Sequence, residues 1–256
     1  MAQGKFIPKY IAHSFEPKGE KMTREEVKKR FDNETAQAYS QRKPVWLPEH
    51  AHAFSLIAKA IKPFVYPGCK ILDLGAGTGN LSRTVFESYP DSKITLVDFS
   101  ANMLEQVPEV LTSYKSNFTT VLADIFQYRS EPGSYQNVIS SFAIHHARGC
   151  DEYLDLYKKI FTWIKTPGMF ICCDVVNGSD TGLSELNEQN WRNYLLENGL
   201  TGDDADKILA NYHREDSPLS VFSHLELLKE SGFQTVDVLW KKYNFCLYAG
   251  IKKQAN

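Results

Sequence analysis

The apolar positions of this chain fall into two rhythms. Near the N-terminus the spacing is helical. Val27 and Phe31, then Ala38 and Tyr39, mark one stripe behind a Thr23–Glu26 pair with capping-box spacing, and Pro44 and Pro48 end it. Phe54, Ile57, Ala58 and Ile61 follow at i, i+3, i+4 and i+7, a second helix that stops before Pro63. From Lys70 onward the pattern changes to short continuous apolar runs alternating with helical stripes. "KILDL", "KITLV", "FTTVLA", "NVISSFA" and "MFICCDVV" read as strands. Leu81, Val85 and Tyr89 predict one intervening helix; Met103, Leu104 and Val107 predict another. Leu154, Tyr157, Ile160, Phe161 and Ile164 predict a third.

Strands that are apolar throughout, rather than alternating, point to a parallel sheet covered by helices on both faces. The stretch 177–217 interrupts that pattern; it is polar and helical, with one clear stripe at Ala205, Ile208, Leu209 and Tyr212. A helix near Phe222–Ser231, stopped by Gly232, returns to the sheet pattern. "FQTVDVLW" and "NFCLYAGI" are separated by so little chain that they should pair antiparallel. The expected fold is α/β, a doubly wound, mostly parallel sheet. Residues 1–22 read as a loosely held arm, 23–66 as N-terminal helices, and 67–256 as the main domain.

Composition narrows the function classes more than it names one. A formal charge of −2 and 23% charged residues give no pull toward nucleic acid or anionic lipid. The basic clusters Lys28-Lys29-Arg30, Lys241-Lys242 and Lys252-Lys253 are too short for a polyanion site. Five cysteines show no metal-ligand spacing; Cys172 and Cys173, adjacent on a strand, should point to opposite faces as small buried hydrophobes. No signal-peptide core or membrane span is evident, so a cytoplasmic protein without membrane contact is expected.

"ILDLGAGTGNLS", residues 71–82, carries the candidate chemistry. Glycines between a strand and a helix let a ligand approach the backbone and meet free N–H groups at the helix start. A dinucleotide fingerprint requires G-x-G-x-x-G, but Asn80 stands where the last glycine would be, and no Gly-Lys-Ser/Thr follows for a phosphate loop. What remains is D-x-G-x-G-x-G. With this loop, "LVDFSANML", "LADIFQY", "VISSFAIHH" and "TPGMFICCDV", in that order, the chain resembles the class I S-adenosylmethionine (SAM)-dependent methyltransferase family over roughly residues 68–176.

The resemblance implies a Rossmann-like seven-stranded sheet with an antiparallel last strand, SAM as cofactor and S-adenosylhomocysteine as product. It implies that Asp98 grips the ribose hydroxyls and that Asp124 and Ile125 read the adenine. Asp73, Gly75, Ala76, Gly77, Gly79, Phe99, Met103 and Ser141 complete the implied cofactor set. The segment "RFDNETAQAYSQRKP" is similar to a helix that folds over the cofactor in small-molecule members, which places Tyr39 and Arg42 there. An arginine suits the ligand's carboxylate.

His145 and His146 end the fourth strand at the mouth of the expected crevice, where at most one would act as a general base on a small-molecule acceptor. The alternative is a pocket wall with no proton role. No metal site is expected. The helical insertion 177–217 is the expected substrate lid, with Trp191, Arg192, Tyr194, Tyr212, His213 and Arg214 as contributors. A methyltransferase acting on an O or N nucleophile is the leading expectation. A carboxy-SAM synthase-like or tRNA-modification enzyme and a non-catalytic SAM binder are the alternatives. The acceptor's identity and the choice between monomer and homodimer are not written in the sequence.

Overall fold

The structure is a computed structural model that describes residues 21–33 and 46–254. In chain order the elements are α1 (Arg24–Asn33), α2 (His50–Ile61), β1 (Lys70–Leu74), α3 (Asn80–Ser88), β2 (Lys93–Asp98), β3 (Phe118–Leu122) and β4 (Tyr135–Ser141). They continue with α4 (Cys150–Trp163), β5 (Ile164–Val175), α5 (Thr181–Glu197), α6 (Gly202–Glu215), α7 (Val221–Glu230), β6 (Thr235–Lys242) and β7 (Phe245–Lys252).

The strands form one seven-stranded sheet in the order β3-β2-β1-β4-β5-β7-β6. β1 pairs in parallel with β2 and β4, and β4 with β5; β7 runs antiparallel to both β5 and β6. This is the expected doubly wound fold, with β7 the single reversed strand. Every residue of β4 is buried, which explains why its sequence shows no alternation.

Two core layers flank the sheet. Leu72, Val138, Phe170 and Cys172 pack on one face against Tyr153, Leu156, Tyr157 and Ile160 of α4 and Leu227 of α7. Ile71, Ile139, Ile171 and Cys173 pack on the other against Phe54, Ile57 and Ile61 of α2 and Val85 and Phe86 of α3. Cys172 and Cys173 thus face opposite layers, as strand neighbours must. Each fully buried large side chain contributes roughly 1.5–3 kcal/mol. A third, smaller cluster lies beyond β5: Trp191 and Leu195 of α5 and Ala205 and Tyr212 of α6 gather on Phe245.

Two details differ from the apolar pattern. The expected helix through Met103, Leu104 and Val107 is two single turns, Ala101–Leu104 and Val107–Val110, because Pro108 has no N–H to continue the ladder. The stripe running to Ile164 ends at Trp163, where β5 begins at once. The capping box forms: the Thr23 N–H donates to Glu26 Oε2 at 2.7 Å, and the Glu26 N–H donates to Thr23 Oγ1 at 3.2 Å. Among the described residues no helix is long and apolar enough to cross a membrane.

Candidate functional site

The carboxyl ends of β1, β2, β3 and β4 open on one crevice, the place where doubly wound sheets bind ligands. Gly75, Gly77 and Gly79 follow β1, with φ values of 70°, 54° and 85°. All three occupy the left-handed region that favours glycine, but their surroundings differ. A Cβ on Gly75 would lie 2.1 Å from the Ala143 Cβ, whereas one on Gly79 would make ordinary contact with Leu96 and Val107. A Cβ on Gly77 would meet nothing within 4 Å; it would project into open space.

Asp98 ties the loop to β2. One carboxylate oxygen accepts the Gly77 N–H at 2.8 Å and the other accepts the Ser100 N–H at 2.9 Å. Gly77, Asp98, Phe99, Met103, Asp124, Ile125, Ser141 and Gly75 all line a cavity of about 510 Å³. The other three loop residues assigned to the cofactor do not line it. Asp73 is fully buried beneath the loop and accepts the Ser82 hydroxyl at 2.7 Å. Gly79 opens α3, and Ala76 packs in the core, so these three shape the loop rather than face the cavity. Tyr39 and Arg42 lie outside the described residues.

The opposite wall comes from α1, through Arg24, Glu25, Val27 and Lys28. Arg24 donates to Asp124 Oδ2 at 3.2 Å and to Glu152 Oε2 at 2.7 Å, and its guanidinium carbon sits 4.4 Å from the centre of the Phe126 ring. Arg148 donates to the Met22 carbonyl at 2.7 Å, and Arg30 reaches Glu215 at 2.5 Å. Burial pushes the Glu215 carboxyl above the usual range, with Arg30 opposing. Arg24, Arg148 and Glu215 do not stand out in the sequence, because each finds its partner far along the chain.

His145 and His146 take different places. His146 lines the cavity, whereas His145 is 6% exposed and lies outside its lining. The His145 Nδ1 pairs with Asp174 Oδ1, and its backbone N–H donates to Asp174 Oδ2 at 3.0 Å. On the far side, Asp216 Oδ1 lies 3.3 Å from both His145 Nε2 and His146 Nδ1. Burial opposes a charged His145, but Asp174 and Asp216 outweigh it and hold the imidazole protonated well above its ordinary range. Burial and the neighbouring His145 push His146 the other way. Asp216 is the residue that sequence spacing missed: nothing local to the two histidines announces an acid delivered by the end of α6.

None of the expected lid residues lines the cavity, and the aromatic ones among them join a small core of their own. Trp191 donates its indole N–H to the Trp46 carbonyl at 2.8 Å and stands edge-on to Tyr212 and Phe245. Tyr194 packs at the margin of the same cluster. Tyr212 donates to Asn177 Oδ1 at 3.1 Å, His213 pairs with Glu188 at 3.1 Å, and Arg192 pairs with Asp206 at 2.6 Å. Large aromatics at helical spacing were satisfied by each other, the commonest use of such side chains. Arg214 gives its carbonyl to the Met22 N–H at 2.9 Å.

Residues 71–168 match the family described as "Methyltransferase domain". Over most of its length the chain is similar to the carboxy-SAM synthase of Campylobacter fetus, at 22% identity over 222 residues, 87% of this chain and 94% of that one. The Vibrio cholerae enzyme of the same name is 25% identical over 226 residues, 87% of this chain and 91% of that one. In fold it is similar to phosphoethanolamine N-methyltransferase 2 of Haemonchus contortus, with a TM-score of 0.65 and 16% identity, covering 89% of this chain and 60% of that one. The chain thus spans about three fifths of that solved protein's length. Taken with the sheet order and its single reversed strand, the match identifies residues 71–168 as a methyltransferase domain within a methyltransferase-like fold.

Proposed function

We propose that the cavity holds SAM and that the protein transfers its sulfonium methyl to an O or N nucleophile of a small molecule. The observation that carries this reading is the convergence of Gly77 and Asp98 on one open space. The glycine leaves room that any side chain would fill, and the adjacent carboxylate suits the ribose hydroxyls of a ligand that has no phosphate to repel. Asp124 and Ile125 would face the adenine, with Phe99, Met103 and Ser141 completing the pocket. When bound, SAM supplies a methyl group already activated by positive sulfur. The protein's part is to align the acceptor and exclude water, which accounts for much of the acceleration in such displacements. The α1 wall and the Arg24 contacts serve that exclusion.

No general base is required where the acceptor is nucleophilic at neutral pH, and His145, buried and held between two carboxylates, is unsuited to the role. Binding decides the cofactor. S-adenosylhomocysteine at 100 times its dissociation constant should add about 2.7 kcal/mol of stability, where NADH and ATP add none. Asp98→Ala should weaken that binding at least tenfold, about 1.4 kcal/mol. Unchanged affinity would remove the ribose assignment, and a shift with NADH alone would overturn the reading of the loop.

The carboxy-SAM synthase relatives favour a second reading, in which the product is a carboxylated SAM derivative. Mass spectrometry of the reaction mixture separates the two. S-adenosylhomocysteine accumulating with a methylated acceptor supports methyl transfer, whereas an adenosyl product heavier than SAM by one carboxyl group supports the alternative.

A further inference from the structure

Four side chains at the edge of the cavity form a connected, largely buried group: Asp174 of β5, the adjacent His145 and His146, and Asp216 just past α6. Among the described residues, His145, His146 and Asp216 are the one set of three potential ligands whose donor atoms all lie within 4.8 Å of one another. Their side chains are 7%, 14% and 12% exposed. Two edges of the donor triangle, His145 Nε2 to Asp216 Oδ1 and His146 Nδ1 to the same oxygen, are each 3.3 Å. Tetrahedral coordination with bonds of about 2.0–2.1 Å has donor–donor edges of about 3.3–3.4 Å.

We propose that His145 Nε2, giving up its proton to solvent as the ion binds, His146 Nδ1 and Asp216 Oδ1 form a three-donor site for one divalent cation of the zinc class, set in the wall of the cavity. Three further observations support it. The other nitrogen of His145 is engaged by Asp174, which is itself fixed by the backbone N–H groups of His145 and Val175. That carboxylate–histidine arrangement aims the remaining nitrogen at the centre and is the usual support of a metal-bound imidazole. Imidazole and carboxylate donors together suit zinc, manganese and iron better than magnesium or calcium. Finally, Lys21 bonds the carbonyl oxygen of Asp216 and not its carboxylate.

Three protein donors leave a coordination position open, and His146 borders the cavity, so that position faces the compartment an acceptor would enter. An anionic oxygen of the acceptor (carboxylate, phenolate or phosphate) is the chemistry that would fill it. This use of the ion rests on the methyl-transfer reading; binding of the ion does not. The site gives the two histidines a ligand role in place of proton transfer.

The test uses tag-free, full-length protein stripped with a chelator and titrated with cobalt(II) by visible absorption and with zinc by calorimetry. One equivalent should bind with micromolar or tighter affinity, with cobalt bands of four- or five-coordinate intensity. Asp216→Asn and His146→Gln should each weaken zinc binding at least tenfold, while His52→Ala on the exposed face of α2 leaves it unchanged. His146→Gln, at the cavity wall, keeps the test alive if Asp216→Asn does not fold. Absence of stoichiometric binding by the wild type, or binding indifferent to both substitutions, overturns the proposal and leaves Asp216 as the ion-pair partner of His145. A melting shift with S-adenosylhomocysteine, recorded on the same stripped samples, separates failure of this site from failure of the cofactor reading.

Discussion

Gly75 and Gly77 lie two residues apart in one loop and answer to different neighbours. At Gly75 an alanine Cβ would collide with Ala143 at a φ of 70°, so Gly75→Ala should cost about 2 kcal/mol or more and lower the melting midpoint whatever ligand is present. At Gly77 only the backbone is strained, by roughly 1–2 kcal/mol for a left-handed L-residue. Gly77→Val should therefore fold with a modest loss and fail to gain stability from S-adenosylhomocysteine. Calorimetric melts of both variants with and without that ligand check the division, and a full ligand-induced shift in Gly77→Val would refute it. The sequence made the need for glycine legible through its spacing, but not the reason at each position. Only the approach of the β4 end to the loop separates a glycine required by packing from one whose missing side chain leaves open space. The same limit applies to acids: Asp73 and Asp98 both close apolar strands, yet one is sealed beneath the loop and the other faces the cavity.

Helix α1 shows what was and was not readable among the elements. Its start was legible, since Thr23 and Glu26 satisfy each other locally. Its destination was not, because Arg24 reaches Asp124 and Glu152 through contacts that leave no periodic trace. The central strands β1, β4 and β5 were legible for the opposite reason: burial on both faces writes itself into consecutive residues. Partly exposed ion pairs contribute about 0–1 kcal/mol each and a cation–π contact about 0.5–1 kcal/mol, so the Arg24 cluster holds α1 by roughly 1–2 kcal/mol. Arg24→Ala should accelerate amide exchange in residues 24–30 about tenfold and leave β4 and β5 unchanged. Hydrogen-exchange mass spectrometry reads this directly; unaltered α1 exchange would mean that Val27 packing and the Arg30–Glu215 pair seat the helix without Arg24.

The two core layers also set the molecule's response to acid. His224 of α7 is 1% exposed, accepts or donates at 2.7 Å with the Tyr157 hydroxyl, and stacks on Tyr248 at 4.7 Å. Burial pushes it down to about 4, with Asp174 opposing and His145 assisting. The unfolded chain binds this proton near pH 6.5, the folded chain only near 4, so the stability involved is whole above about 6.5 and drains away as pH falls toward 4. At about 1.4 kcal/mol per pH unit this amounts to a few kcal/mol. His224→Leu should flatten the fall in urea midpoint across that interval relative to wild type, and parallel curves would count against it. At this scale the sheet order has a further consequence. β7 is made after every other strand, yet it sits between β5 and β6. On the ribosome, the β5 edge that carries Phe170, Ile171 and Cys172 stays open until Phe245–Lys252 has emerged. The sheet therefore closes only with β7, and until then it presents an apolar strand edge of the kind that chaperones shield and stray strands pair with.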